Sequence, residues 1–103
     1  MNSKILTLLG FARKSNNVLF GFQQVSRAAV LGNIELIIFS DEVSGNTEKK
    51  VVKAAAMHQI KCIKLSTTEE LSRAIGESNK SILGIKDKNF AKQILAYYSE
   101  ENE

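Results

Sequence analysis

Seven consecutive residues, Gly21-Phe22-Gln23-Gln24-Val25-Ser26-Arg27, gather two side-chain amides and a guanidinium beside a glycine. On a helix, Gln23, Gln24 and Arg27 fall within about 100° of one another, opposite Phe22, Val25 and Ala29. An amide offers a donor and an acceptor together, and a guanidinium forks onto a phosphate or the edge of guanine. The apolar run Val18-Leu19-Phe20 comes first, so a strand hands over to a helix through Gly21. The first N–H groups of such a helix lack intrahelical partners and the dipole is positive there, which suits phosphate or another acceptor-rich group. Taken alone, the same pattern also describes an ordinary solvated helix face.

Catalytic chemistry finds little material elsewhere. The one histidine, His58, closes a lysine-rich amphipathic helix, where it is placed to meet the helix dipole rather than to act as a base. The one cysteine, Cys62, lies within a strand pattern and reads as a small core residue. Together they do not make a zinc site. Asp41 and Glu42 are adjacent carboxylates in a loop without an evident partner. The glycines form neither GxGxxG nor GxxxxGK[ST], so no nucleotide-cradling loop is present. The expectation is a protein that is not an enzyme, with no cofactor, no metal and no small-molecule substrate.

Positioning the 21–27 cluster calls for a regular alternation of elements. Ile5, Leu8, Leu9 and Ala12, widened by Leu6 and Phe11, predict a largely buried helix over 3–14. Asn16-Asn17 predicts a turn, and Gly32-Asn33 ends the second helix with residues that a left-handed cap favours. IELIIF, residues 34–39, predicts a strand covered on both faces. The polar loop 40–46 offers N-caps for a helix over about 46–58, with Val51, Val52, Ala55 and Ala56 on one side and Lys49, Lys50 and Lys53 across from them. Lys61 to Leu65 alternates like a half-exposed strand. Thr67-Thr68-Glu69-Glu70 matches a capping box before a short helix ending at Gly76. Ser81 to Ile85 reads as a strand, and Asp87 caps a last helix presenting Phe90, Ala91, Ile94, Leu95 and Tyr98. The order αβαβαβαβα puts helices on both faces of one central sheet and leaves open which strands run parallel.

At 103 residues the chain has room for one core. It divides into a single domain over 1–98 and an acidic C-terminal tail over 99–103. Apolar residues at 44% and charged residues at 24% exclude wholesale disorder. Net charge is +3, yet residues 1–34 hold Lys4, Arg13, Lys14 and Arg27 with no acid, while the tail holds three acids. Without the tail, 14 basic groups face 8 acidic ones, a net of +6. A basic body suits a polyanion, because counterions released from phosphates favour binding. No apolar run is long enough to span a bilayer, and Thr7 and Gly10 interrupt the first one with no cleavage site after it. With one cysteine, the expectation is a cytoplasmic protein with no membrane partner.

The run GFQQVSR resembles the G-x-[NK]-[EQ]-x-x-[KR] signature of the L7Ae ribosomal-protein family, binders of kink-turn RNA. Asn33 to Asp41 is similar to that family's second strand and the loop after it. Glu70-Leu71-Ser72-Arg73-Ala74-Ile75-Gly76 resembles its E-L-G-[KR]-A-x-G segment. The leader from Leu8 to Gly21 and the phrase from Ser44 to Lys50 are similar to the bacterial YlxQ-type branch. The resemblance implies a three-layer α/β/α sandwich around a mixed four-stranded sheet, and binding of a sharply bent RNA with tandem sheared G·A pairs. It implies that Gly21 lets the helix end approach the RNA, that Gln23 and Gln24 face the G·A edges, and that Arg27 meets phosphate. Asp41 falls in the loop after the second strand. In the resemblance, Gly76, Glu77, Ser78, Asn79 and Lys80 correspond to the family's loop that covers flipped-out bases, and Arg13, Lys14 and Arg73 are expected to add positive charge. Structured RNA, above all ribosomal RNA, is the implied partner, with the ribosome or transcription and translation factors beside it. Three positions depart from the pattern. Gln24 stands where glutamate is common, the covering loop is polar, and Ser72 replaces a glycine, restricting the backbone. These departures motivate an alternative, a protein-interaction adaptor in translation or transcription whose RNA site has decayed.

Overall fold

The computed structural model describes residues 3–101. Nine elements follow in order: α1 (Ser3–Lys14), β1 (Val18–Phe20), α2 (Phe22–Leu31), β2 (Leu36–Phe39), α3 (Gly45–Met57), β3 (Lys61–Lys64), α4 (Thr68–Ala74), β4 (Ile82–Ile85) and α5 (Lys88–Glu101). The expected alternation is present throughout. Helix ends are set by local chemistry. Ser44 caps α3 by accepting from the Thr47 N–H at 3.1 Å, and Asp87 caps α5 by accepting from the Phe90 N–H at 2.9 Å. Gly32 ends α2 in the left-handed region at φ 72°, and the next N–H, of Asn33, reaches back to Ala28 O at 2.8 Å. The short α4 stops at Ala74, ahead of Gly76. At the other end of the chain, residues 99–101 continue α5, so the acidic stretch begins inside that helix; its residues 102 and 103 lie outside the described part.

The sheet order is β1-β4-β2-β3, with β2 and β3 parallel and β4 antiparallel to both its neighbours. This is the mixed sheet that the resemblance implies. All four residues of β2 are buried, as are all four of β4, because helices cover both faces of these central strands. Leu36, Ile38, Leu83 and Ile85 point into one core with Ile5, Leu9, Leu71 and Ile94 from α1, α4 and α5. Ile37, Phe39 and Ile82 point the other way, against Val25 and Ala29 of α2 and Val51 and Ala55 of α3. A Cβ on Gly84 would lie 3.3 Å from Val25 Cγ2, so glycine there lets α2 settle closely on the sheet. No helix among the described residues is long and apolar enough to cross a membrane.

Candidate functional site

Strand directions decide what meets. The C-terminal ends of β1, β2 and β3 gather with the N-terminal end of β4 at one rim of the sheet, through the pairs Phe20–Leu83, Phe39–Ile82 and Phe39–Lys64. Main-chain bonds join the rim: Gly21 N–H to Ile82 O at 2.9 Å, Ser40 N–H to Ser81 O at 2.8 Å, and Asp41 N–H to Ser66 O at 2.9 Å. Gly21, Asp41 and the segment leading into β4, far apart in sequence, are thereby brought to one edge.

At that edge α2 begins without a side-chain cap. Gly21 sits at φ 92°, ψ 143°, and the first helical bond comes from the Val25 N–H to Gly21 O at 3.0 Å. The N–H groups of residues 22–24 therefore have no partner within the helix. A Cβ on Gly21 would meet nothing within 4 Å, so positive φ, not crowding, calls for glycine here. Gln23, Gln24 and Arg27 are exposed on the flank and line one open groove of about 470 Å³. Arg27 forms no ion pair among the described residues. Free N–H groups, two amides and an unpaired guanidinium are a surface built to receive acceptor-rich, negatively charged groups.

Beside it lies the loop from Gly76 to Lys80. Gly76 and Asn79 both have positive φ, at 70° and 55°. Arg13 braces the start of this loop, donating through Nε to Ile75 O at 3.2 Å and through Nη2 to Glu77 Oε2 at 2.9 Å. Ser72 clasps its end: the Oγ accepts from the Lys80 N–H at 2.8 Å and donates to Lys80 O at 3.1 Å. The Lys80 Nζ and the Arg13 guanidinium both lie over the Phe20 ring, 5.2 and 5.3 Å from its centroid. The loop is thus pinned at both ends, leaving Gly76, Ser78 and Asn79 exposed between. Arg13 acts here as a brace with its charge already paired. Lys14, next to it on α1, is exposed and makes no ion pair among the described residues, whereas Arg73 pairs with Glu69 at 2.5 Å. Ser72 does more than stiffen a backbone: it stands in mid-helix, 3% exposed, with its hydroxyl fully used.

A second open groove, about 650 Å³, lies between this loop and α4, and its lining includes Glu42, Glu69 and Glu77. The Glu42 carboxylate accepts from the Thr68 N–H at 2.8 Å, and the Thr68 hydroxyl donates to the buried Ser40 Oγ at 2.9 Å. These contacts latch the loop after β2 onto the start of α4 and leave Asp41 exposed beside them. Glu70 is held below the ordinary carboxylate range, first by the Ser66 hydroxyl at 2.6 Å and also by the Thr67 hydroxyl and N–H. Burial, with Glu48 nearby, pushes the Cys62 thiol up, away from the reactive thiolate. His58 forms the C-cap of α3. Among the described residues no group of His, Cys, Asp and Glu is arranged to hold a metal ion.

The cluster at 21–27 was legible from the sequence because its geometry is local to one helix. Ser40, Thr68, Phe20 and the Ser72 clasp were not, since each acts through a partner on another element.

With a mixed four-stranded sheet between two helical layers and an uncapped helix end on its rim, the chain belongs to the ribosomal protein L7Ae/L30e/S12e/Gadd45 family, whose profile matches residues 3–95. It is similar to the "RNA-binding protein YlxQ" of Bacillus subtilis (strain 168), 25% identical over 89 residues, covering 86% of this chain and 89% of that one. The Enterococcus faecium protein of the same name is 29% identical over 91 residues, covering 87% and 86%. Among solved structures, a Bacillus halodurans protein of unknown function superposes with TM-score 0.89 and 32% identity, covering 91% of this chain and 95% of that one. A Giardia lamblia 15.5kD RNA binding protein, 13% identical, shares the fold at TM-score 0.76, covering 92% and 82%.

Proposed function

We propose that this protein binds structured RNA of the kink-turn type at the rim built around Gly21, without catalysis, as a ribosomal or ribosome-associated protein of the cytoplasm. The observation that carries this reading is the uncapped start of α2, with Gln23, Gln24 and the unpaired Arg27 exposed beside it. Family membership and the RNA-binding relatives support it. In this reading the free N–H groups and Arg27 take phosphate, the two amides meet base edges, and the braced loop from Gly76 to Lys80 covers an extruded base through hydrogen bonds rather than apolar packing. A gel-shift titration with a kink-turn RNA and a straightened control tests it. Tighter binding of the bent RNA is expected, and Arg27→Ala should weaken it about tenfold, the loss of one charge-assisted contact. Equal affinity for the two RNAs, or no effect of Arg27→Ala, removes the structure-specific reading.

The carboxylates of the second groove favour one other reading, an adaptor that docks a basic protein segment there. A pull-down from nuclease-treated lysate separates the two, since partners tethered through RNA are lost and direct protein partners are kept.

A further inference from the structure

We infer that the RNA interface does not stop at the rim: the outer flank of α2 is a track for the sugar–phosphate backbone of one RNA arm, ending at Lys86. This rests on the RNA-binding reading above and extends it to residues at the far side of the sheet.

Three observations carry it. Gln23, Arg27 and Leu31 follow at four-residue intervals and so form one row along the helix. The groove of about 470 Å³ continues beyond that row to Asn33 and Lys86, over a floor of Leu19 and Ala28. Lys86 directly follows β4, and its N–H bonds Asn17 O at 2.8 Å, which places it at the rim opposite Gly21. The groove therefore runs the length of a ten-residue helix, about 15 Å at 1.5 Å per residue.

Charge selects the occupant. Arg27 and Lys86 are both exposed, neither has an ion pair among the described residues, and no carboxylate lines the groove. On the other side of the rim, the second groove carries Glu42, Glu69 and Glu77, and its Arg73 is already paired. A polyanion engaged at the start of α2 is thus repelled from the α4 side and drawn along α2. The apolar floor fits the ribose faces that lie between phosphates along a strand of the arm, and Leu31 is 64% exposed at its edge.

Two kink-turn RNAs test this, identical except that one arm is cut short near the bend in one and extended by a helical turn in the other. With the extended RNA, Lys86→Ala should weaken binding several-fold, Lys86→Glu more, and the salt slope of log K should become shallower by about 0.7–0.9, one phosphate contact. The shortened RNA should bind both variants as it binds the unaltered chain. The side chain of Lys86 is exposed, so unchanged melting temperatures are expected, and amide signals of Leu31, Asn33 and Lys86 should shift only with the extended RNA. If Lys86→Ala leaves both affinities unaltered while Arg27→Ala weakens both, the track is overturned and the rim reading stands. Shifts at these residues produced by an acidic peptide or by raised protein concentration, but not by the extended RNA, also overturn it. Failure of the unaltered chain to bind either RNA removes both readings.

Discussion

Two small residues frame the rim and act in different ways. Gly21 supplies a backbone conformation at φ 92° that an L-residue adopts with strain, although space for a side chain is available. Gly21→Ala should therefore destabilise the fold by about 1–2 kcal/mol through backbone strain alone. Urea denaturation reads this as a lower midpoint at unchanged slope. Ser72 is a matter of satisfied polar groups: its hydroxyl serves both the N–H and the C=O of Lys80. Ser72→Ala strips the partner from each and should destabilise by about 1–3 kcal/mol. The same change should speed hydrogen exchange at the Lys80 amide and shorten the lifetime of bound RNA, because the loop then loses its clasp. Exchange at Lys80 as slow as in the unaltered chain would show that the loop is held some other way. Residues of the first kind could be read from the sequence, since a strand, a glycine and a helix are consecutive. The second kind could not, because Ser72 acts on a residue eight positions away across a turn.

At the scale of elements, the caps place helix starts to within a residue or so, and the capping box at Thr67 shows how. Thr67 accepts from the Glu70 N–H at 3.1 Å, while the Glu70 carboxylate takes the Ser66 hydroxyl and the Thr67 N–H. These bonds stabilise the charged form, so the folded state holds Glu70 ionised below its ordinary value of 4.5. The resulting stability is complete above that unfolded value and is lost as pH falls through the lower folded one. Melting temperatures of the unaltered chain and of Glu70→Gln should differ at pH 7 and converge as pH falls below about 4.5. A gap that persists at pH 2 would mean that the charge is not what Glu70 contributes. Local chemistry of this kind marked the elements but not their neighbours. The last strand, β4, inserts between β1 and β2, and nothing local in its four residues encodes that position. The expected strand at 34–39 begins only at Leu36, since Ile34 turns into the core under α2 and Glu35 is exposed, though its N–H still bonds Ile85 O at 2.7 Å.

On the whole molecule, charge is separated in sequence and only partly in space. The α2 flank carries unpaired cations, the α4 side is rich in carboxylates, and Glu100 and Glu101 lie in the last turns of α5. Removing residues 99–103 raises the net charge from +3 to +6 but also shortens that helix. A triple change of Glu100, Glu101 and Glu103 to glutamine makes the same electrostatic alteration while keeping the chain length. If the tail acts through the overall field, this variant should bind unstructured RNA a few-fold more tightly at low salt, mainly through faster association. The gain should fade as salt is raised, because screening lengths shrink from about 10 Å at 0.1 M to about 3 Å at 1 M. The ratio of kink-turn to straight-RNA affinity should stay constant, since among the described residues no ion pair joins Glu100 or Glu101 to the α2 flank or the braced loop. A gain of equal size at every salt concentration, or a lower ratio, would instead place these carboxylates in direct contact with the site.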